Sequence, residues 1–435
     1  MNQTPPNIDT LRKDAEAGRP GACYNLGVWL LNGDGGQPDP QGARVQFERA
    51  AEQGHAPSWS ALGYLALRGQ AADTAAAYAC FDEAARQGYQ EAVYRRGELR
   101  ASGVGTPVDL AAARQDFAAA VDHSQAQLHL AYCLELGLGG PRDPAAATAL
   151  TVIAARSGDP AGLLALGQRL ERGHTLPADP CAARWCYEES ARRGCPEAAS
   201  GADDLACAEP ASPPDLDRLS APDNDMDRPL PGPSIETASW QPRVFRFHNM
   251  LSLWERSHLI RLAAPLLRPS QVIQRGSGEN ASASGRRSGV TRLTAGLKDV
   301  VVASIERRIA DLTHLPVENG EPIAVLHYGA GDEYRPHYDY FDPRVPGRDV
   351  PLSRGGQRLA TFMIYLSSVS AGGQTRFPEA GLTIDPSPGT GLLFFNVLPD
   401  GQLDPASLHA GLPVEQGRKW LATRWIREHA YTGAI

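Results

Sequence analysis

Four side chains in the last quarter of the chain are of the kinds that bind a metal and an acid. The stretch GDEYRPHYDYFDP, residues 331–343, places His337 and Asp339 two apart. Downstream, SLHAGLPVEQGRKW supplies His409 and, ten residues later, Lys419. Two imidazoles and one carboxylate cover one face of an octahedron. They leave three positions for a chelating co-substrate, O2 and water, which suits non-haem Fe(II). On a strand, residues i and i+2 point the same way, so His337 and Asp339 can converge on one ion. The third ligand then comes from another strand of the same barrel. A cation one strand further on, Lys419, could pair with the far carboxylate of 2-oxoglutarate, whose keto-acid end chelates iron. Taken singly, each residue has a plainer reading. HxD is common in polar surface turns, a strand histidine is commonly a hydrogen-bonded core residue, and a lysine is commonly a solvated charge. The ordered combination HxD…H-x9-K in a strand-rich segment carries the metal reading.

The elements around these residues are legible from Trp240 onward. VFRFHNMLS reads as a strand leading into the helix LWERSHLIRLAAPLL, and KDVVVASIERRIADLTHL as an amphipathic helix. Short β-branched or aromatic runs then alternate with turns: PIAVLHYG, RLATFMIYLSS, QTRFPEAG, LTIDPSPG, TGLLFFNVL and KWLATRWIREH. Helices first and many short strands after predict a β-sandwich or jelly roll with helical support on one side.

These segments carry a resemblance. YGAGDEYRPHYDYF, RLATFMIYLSS, GGQTRFP, GTGLLFFNV and HAGLPVEQGRKWLATRWIRE resemble the 2-oxoglutarate/Fe(II) oxygenases of the prolyl 4-hydroxylase family, its collagen-type and bacterial members in particular. The resemblance spans about residues 240–430 and its motifs fall in the family's order. It implies a double-stranded β-helix that binds Fe(II) through His337, Asp339 and His409. It further implies that Lys419 holds the distal carboxylate of 2-oxoglutarate and that Tyr328 hydrogen-bonds the co-substrate. By the same resemblance Thr361 borders the co-substrate pocket, Tyr334 lines the mouth of the site, Trp425 borders the peptide site, and Arg287 belongs to a loop that closes over the peptide. O2 is the second co-substrate and ascorbate the rescue reductant. Two departures stand out. Gln374 replaces a common Glu in GGQT, and FDPRVPGRDVPLSRGGQR forms a polar, proline-rich segment on the substrate side.

The first half repeats itself. AEAG ends at Gly18, AEQG at Gly54, ARQG at Gly88, VDHS at Ser124, ARSG at Gly158 and ARRG at Gly194. The steps lie in the mid-thirties, and each unit holds two Ala-rich runs around a Gly/Pro/Asp break, the signature of an α-solenoid. The closing glycine suits a helix C-cap. The pattern A-x-x-x-L-G…G-x-G…D-x-x-x-A…A-A-x-x-G resembles Sel1-like repeats, relatives of tetratricopeptide repeats. Five units fit residues 19–194, with 9–18 as the second helix of a capping half-repeat. The third unit departs, with Arg96 in place of Leu and Ser124 in place of the closing Gly. The resemblance implies a protein- or peptide-binding concave face; a passive spacer is the alternative.

Residues 208–236 are Pro- and Asp-rich and read as a semi-extended linker. The predicted organisation is therefore multidomain, α then α+β: repeats over 1–207, linker over 208–236, oxygenase over 237–435. The chain's 435 residues exceed a single core. Its net charge of -8 lacks the basic footprint of a nucleic-acid binder. MNQTPPNIDTLRKDAEAG lacks the apolar run of a signal peptide, and no apolar stretch approaches the roughly 20 residues of a bilayer span. A cytoplasmic protein without membrane or nucleic-acid partners is expected. The seven cysteines, Cys23, Cys80, Cys133, Cys181, Cys186, Cys195 and Cys207, are odd in number and irregularly spaced, which points to reduced, buried thiols.

The function expected is hydroxylation of a peptidyl proline, with 2-oxoglutarate decarboxylated to succinate and the repeats recruiting the substrate. The same chemistry on a lysyl residue, free amino acid or small metabolite is the enzymatic alternative. A repeat-based scaffold with a regulatory oxygenase-like domain is the alternative of another class.

Overall fold

The computed structural model describes residues 8–433 except 69–71, 121, 204, 206, 208–211, 217–218, 220–221, 274–279, 283–287, 346 and 348. Contacts group the chain into two compact units. One holds residues up to Asp143 with Lys298–Val300, the other residues 144–297 with 301–433.

The first unit is helical: α1 (Ile8–Glu16), α2 (Pro20–Asn32), α3 (Pro40–Ala51), α4 (Ala56–Ala66), α5 (Thr74–Arg86), α6 (Gln90–Ser102), α7 (Leu110–Ala119) and α8 (Ser124–Leu136). The repeat motif has a physical reason at each position. The Asp of D-x-x-x-A caps the second helix of a unit. Asp39, Asp73 and Asp109 accept from the backbone N–H of Gly42, Ala76 and Ala112. The Ala of the same motif, Ala43, Ala77 or Ala113, has no exposed surface. Gly18, Gly54, Gly88 and Gly158 end their turns at φ of 77°, 78°, 79° and 78°, where only glycine is unstrained.

The Gly of Leu-Gly meets an aromatic ring. A Cβ on Gly27 would stand 2.5 Å from the Phe47 ring, on Gly63 2.8 Å from Phe81, and on Gly97 2.8 Å from Phe117. Those three rings are almost wholly buried. Two effects therefore compete in Gly63→Ala. Helix propensity favours alanine by about 1 kcal/mol, while overpacking a filled core costs about 1–3 kcal/mol. The ring cannot retreat, so the variant is expected to unfold at lower urea concentration by circular dichroism. An unchanged or higher midpoint would refute this packing account.

The third unit keeps its packing by ion pairing. The Arg96 guanidinium lies 2.6 Å from Asp116 and 3.0 Å from Asp82, and Arg100 lies 2.8 Å from Asp116. One sequence mark needs correction. The residues preceding α2, α4, α6 and α8 are Arg19, His55, Tyr89 and His123. Asp122, not Ser124, therefore occupies the closing-glycine position, and Ser124 already begins α8.

The second unit begins with α9 (Pro144–Arg156), α10 (Pro160–Arg172), α11 (Pro180–Arg192) and the short α12 (Ala199–Asp203). Part of the stretch read as a linker is fastened here. Thr175 N–H donates to Met226 O, Asp223 N–H to Thr175 O, and Ala145 N–H to Asn224 Oδ1, each at 2.9 Å. Leu205, Leu216 and Leu219 pack half-buried against the α9–α11 core. Composition hid this because the apolar residues of 208–236, Leu216, Leu219 and Met226 among them, are scattered between prolines and aspartates. The expectation of reduced thiols throughout is also corrected: Cys181 and Cys207 form a disulfide, with Cα atoms 5.3 Å apart. Their separation of 26 residues carries no local signature, and the fold alone brings them together. Cys23, Cys80, Cys133, Cys186 and Cys195 take no part in a disulfide.

Next come α13 (Leu253–Ala263) and α14 (Val300–Thr313). Ser252 and Glu255 form a capping box at the start of α13, and Glu255 pairs with Arg308 of α14 at 2.8 Å. α10 and the turn at Pro196–Ala198 pack on α13. The strands are β1 (Ser234–Trp240), β2 (Arg243–His248), β3 (Arg268–Pro269), β4 (Gln271–Ile273), β5 (Asn280–Ser282), β6 (Gly289–Arg292), β7 (Ala324–Tyr328), β8 (Tyr334–His337), β9 (Arg358–Tyr365), β10 (Ala371–Gly372), β11 (Thr375–Phe377), β12 (Leu382–Ile384), β13 (Gly391–Phe395), β14 (His409–Gly411), β15 (Val414–Gln416) and β16 (Lys419–Arg427). A large antiparallel sheet runs β1-β2-β13-β9-β16-β7-β6-β3, and a small one β12-β11-β14-β8. Val244, Tyr365 and Phe394 of the large sheet meet Phe377 and Ile384 of the small one in the core. This is the jelly roll expected. Among the described residues, no helix is long and apolar enough to cross a membrane.

Candidate metal centre

Strand register assembles the centre. His337 ends β8, His409 opens β14, and the two are direct partners across the antiparallel pair. Their rings stand 4.2 Å apart between centroids. Asp339 lies two residues on, but not on the strand. β8 stops at His337, and Asp339 sits in the bend that follows. It is turned inward by β9 instead: Thr361 Oγ1 donates to Asp339 Oδ2 at 2.7 Å. His337 Nε2 lies 3.6 Å from Asp339 Oδ1, and His409 Nε2 lies 3.7 Å from Oδ2.

The donor set fits a transition-metal ion. His337 Nδ1 faces Arg335 O at 2.8 Å and His409 Nδ1 faces Ser407 O at 3.0 Å. A carbonyl can only accept, so each Nδ1 carries the proton and each Nε2 presents a lone pair inward. One donor atom from each of the three residues lies within 4.8 Å of the others. Burial alone would raise the Asp339 carboxyl. In the metal-free protein the imidazoles of His409 and His337, when protonated, then Arg358 and the Thr361 hydroxyl, outweigh it and hold the group at about 2. Asp339 is thus an anion throughout the physiological range.

Lys419 opens β16 opposite Tyr328 on β7. Only 3% of it is exposed, and its Nζ donates to Gly373 O at 2.6 Å. The ammonium stands 5.7 Å from the Tyr328 ring centroid and 5.6 Å from that of Tyr365. Burial pushes its pKa down to about 8. A buried cation whose hydrogen-bond partner is a carbonyl suits an incoming carboxylate.

One cavity joins these groups. Tyr328, Tyr334, His337, Asp339, His409, Lys419 and Trp425 all border it, so most residues singled out from sequence come together. Tyr334 stacks on His337 with centroids 3.5 Å apart. Thr361 does not border the cavity; it stands behind Asp339. Arg287 lies outside the described residues. Gln374 is half-buried, and its carbonyl accepts from Leu412 N–H at 2.8 Å.

Sequence reading missed several residues. Thr375 and Thr423 border the cavity. Thr423 could have been found, because Lys419, Leu421, Thr423 and Trp425 alternate along one strand and share a face. Beneath the site, Arg358 pairs with Glu321 at 2.7 Å, Arg427 pairs with Glu321 at 2.8 Å, and the Arg358 guanidinium lies 4.1 Å over the Trp425 ring. No local motif announces this cluster, whose members come from three separate segments.

Residues 323–427 match the family model of the 2OG-Fe(II) oxygenase superfamily. Residues 20–55, 60–89, 124–159 and 160–195 match that of the Sel1 repeat, leaving out the third unit with its Arg96. Prolyl 4-hydroxylase 5 of Arabidopsis thaliana is 42% identical over 216 residues, 45% of this chain and 72% of its own. A viral collagen prolyl hydroxylase from Paramecium Bursaria Chlorella virus-1, solved as a 2OG complex, is 29% identical. The match covers 42% of this chain and 94% of that one, with a TM-score of 0.34. A Sel1 repeat protein from Oxalobacter formigenes is 26% identical over 43% of this chain and 79% of its own, with a TM-score of 0.40.

Proposed function

The chain belongs to the prolyl 4-hydroxylase family of 2OG-Fe(II) oxygenases, and from that premise we propose that it hydroxylates a prolyl residue in a peptide or protein. The observation that supports this most is the cross-strand pair His337–His409 with Asp339 beside it, in one cavity with the buried Lys419. His337, Asp339 and His409 would hold Fe(II). Bound there, the ion supplies the coupling of 2-oxoglutarate decarboxylation by O2 to oxygen insertion at a C–H bond, giving succinate, CO2 and the alcohol. Lys419 receives the distal carboxylate of 2-oxoglutarate, and Tyr328, directly across the strand pair, bonds the same end. Tyr334 and Trp425 form the wall against which the prolyl ring lies. Leu326, Met363 and Leu421 of the large sheet line the rest of the cavity with apolar surface. Ascorbate serves as the rescue reductant. In this reading the repeats of 1–207 recruit the protein substrate, the oxygenase spans 237–435, and the stretch 208–236 between them is fastened in part at Asp223–Met226.

The test is succinate release by the full chain with Fe(II), ascorbate and 2-oxoglutarate, with and without proline-rich peptides. Succinate that rises with peptide, alongside a mass gain of one oxygen on proline, is expected. Succinate unaffected by any prolyl peptide, but stimulated by lysyl peptides or free amino acids, would overturn the choice of proline.

A further inference from the structure

We propose that Asn396 and Thr361 form a one-way hydrogen-bond relay that orients the Asp339 carboxylate for the metal. This rests on the reading of His337, Asp339 and His409 as the ligands. Asn396 follows β13 and has no exposed surface; neither does Thr361. Asn396 Nδ2 stands 3.1 Å from Thr361 Oγ1, which stands 2.7 Å from Asp339 Oδ2. Backbone bonds clamp the amide: Asn396 N–H donates to Leu359 O at 2.8 Å, and Asp404 N–H donates to Asn396 O at 3.0 Å.

Proton counting sets the direction. The Asp339 carboxylate only accepts, so the single hydroxyl hydrogen of Thr361 points to it. Thr361 Oγ1 is then free only to accept, and Asn396 must present its NH2 rather than its oxygen. The Asn396 oxygen is buried without a hydrogen-bond partner. An apolar side chain would fill the space without orphaning that oxygen, so the amide's use is the bond it donates. Asn396 and Thr361 are positioning residues, not ligands. They fix the torsion of a carboxylate that stands in a bend rather than on a strand. Outer hydrogen bonds of this kind typically change metal affinity 10- to 100-fold.

Three variants of the full chain test this, titrated with Co(II) alone and followed by its visible d–d absorption. Thr361→Val and Asn396→Asp are expected to raise the Co(II) Kd about tenfold or more and to shift the band. Asn396→Asp keeps the size of the side chain but gives Thr361 a second acceptor in place of a donor. Thr361→Ser retains the hydroxyl and is expected to bind within about threefold of wild type. Melting of the metal-free proteins separates positioning from folding. Weakened binding at an unchanged melting temperature supports the relay. Wild-type Kd and spectrum in Thr361→Val and Asn396→Asp overturn it, as does affinity lost only where the fold is lost. The ligand reading fails separately, if His337→Ala takes up Co(II) as tightly as wild type.

Discussion

Replacing His337 by alanine is expected to cut 2-oxoglutarate turnover at least about 1,000-fold. The loss of one of three ligands removes several kcal/mol of metal-centred stabilisation, and each 1.36 kcal/mol is a decade in rate. The fold should survive. His337 ends its strand, its side chain is 17% exposed, and the partner of its Nδ1 is a carbonyl two residues away. Succinate formation with Fe(II) and ascorbate measures the effect, and melting confirms the fold. Turnover near wild type from a folded variant would refute the metal centre.

Lys419→Met is expected to move binding and stability in opposite directions. Methionine matches the stem but removes the charge, so KM for 2-oxoglutarate should rise about 100-fold, from losing one partner of a buried charge pair. The protein without co-substrate should become more stable. The folded-state pKa of Lys419, about 8, lies below its ordinary value of 10.5. The folded chain therefore resists protonation there. The penalty is full below pH 8 and fades as pH rises from 8 toward 10.5. At pH 7 relief of roughly 1–3 kcal/mol is expected, read as a higher urea midpoint. The same pKa predicts that KM in the wild type climbs above pH 8, as the free enzyme loses the cation that meets the carboxylate. A variant with unchanged KM would refute the role of Lys419. One that lost stability at pH 7 would show the ammonium to be well solvated or paired.

The parts of this centre legible in the sequence are those with ordered spacing. Lys419 opens a strand that the run KWLATRWIREH marked, while the short strands of His337 and His409 fell in none of the β-branched or aromatic runs and were reached through motif order alone. Asp339 was placed correctly beside them for a partly wrong reason: strand alternation does not reach it, and Thr361 turns it inward instead. Thr361 was expected at the co-substrate pocket by resemblance alone, but its hydroxyl is spent on Asp339. Glu321, Arg358, Arg427 and Asn396 were invisible, since buried polar clusters assembled from distant segments leave no periodic trace. In the first half, the repeat period and the glycine and aspartate positions were readable because caps and close crossings demand particular residues. The slip from Asp122 to Ser124 came from trusting the motif letter where no glycine was present. The disulfide and the fastened stretch at 223–228 depend on tertiary placement alone.

The packing of α10 and the 196–198 turn on α13 bears on how the enzyme can be cut. A catalytic fragment trimmed at residue 237, where the composition changes, would strip the cover from α13, and Leu253 would lose its close neighbour Gly201. One trimmed near residue 144 would keep that cover, the strap at 223–228 and the disulfide together. The last repeats thus serve as a buttress for the oxygenase fold. A substitution on α10 would press on the helix that braces the oxygenase, so the last repeats are not free to evolve as a separate module.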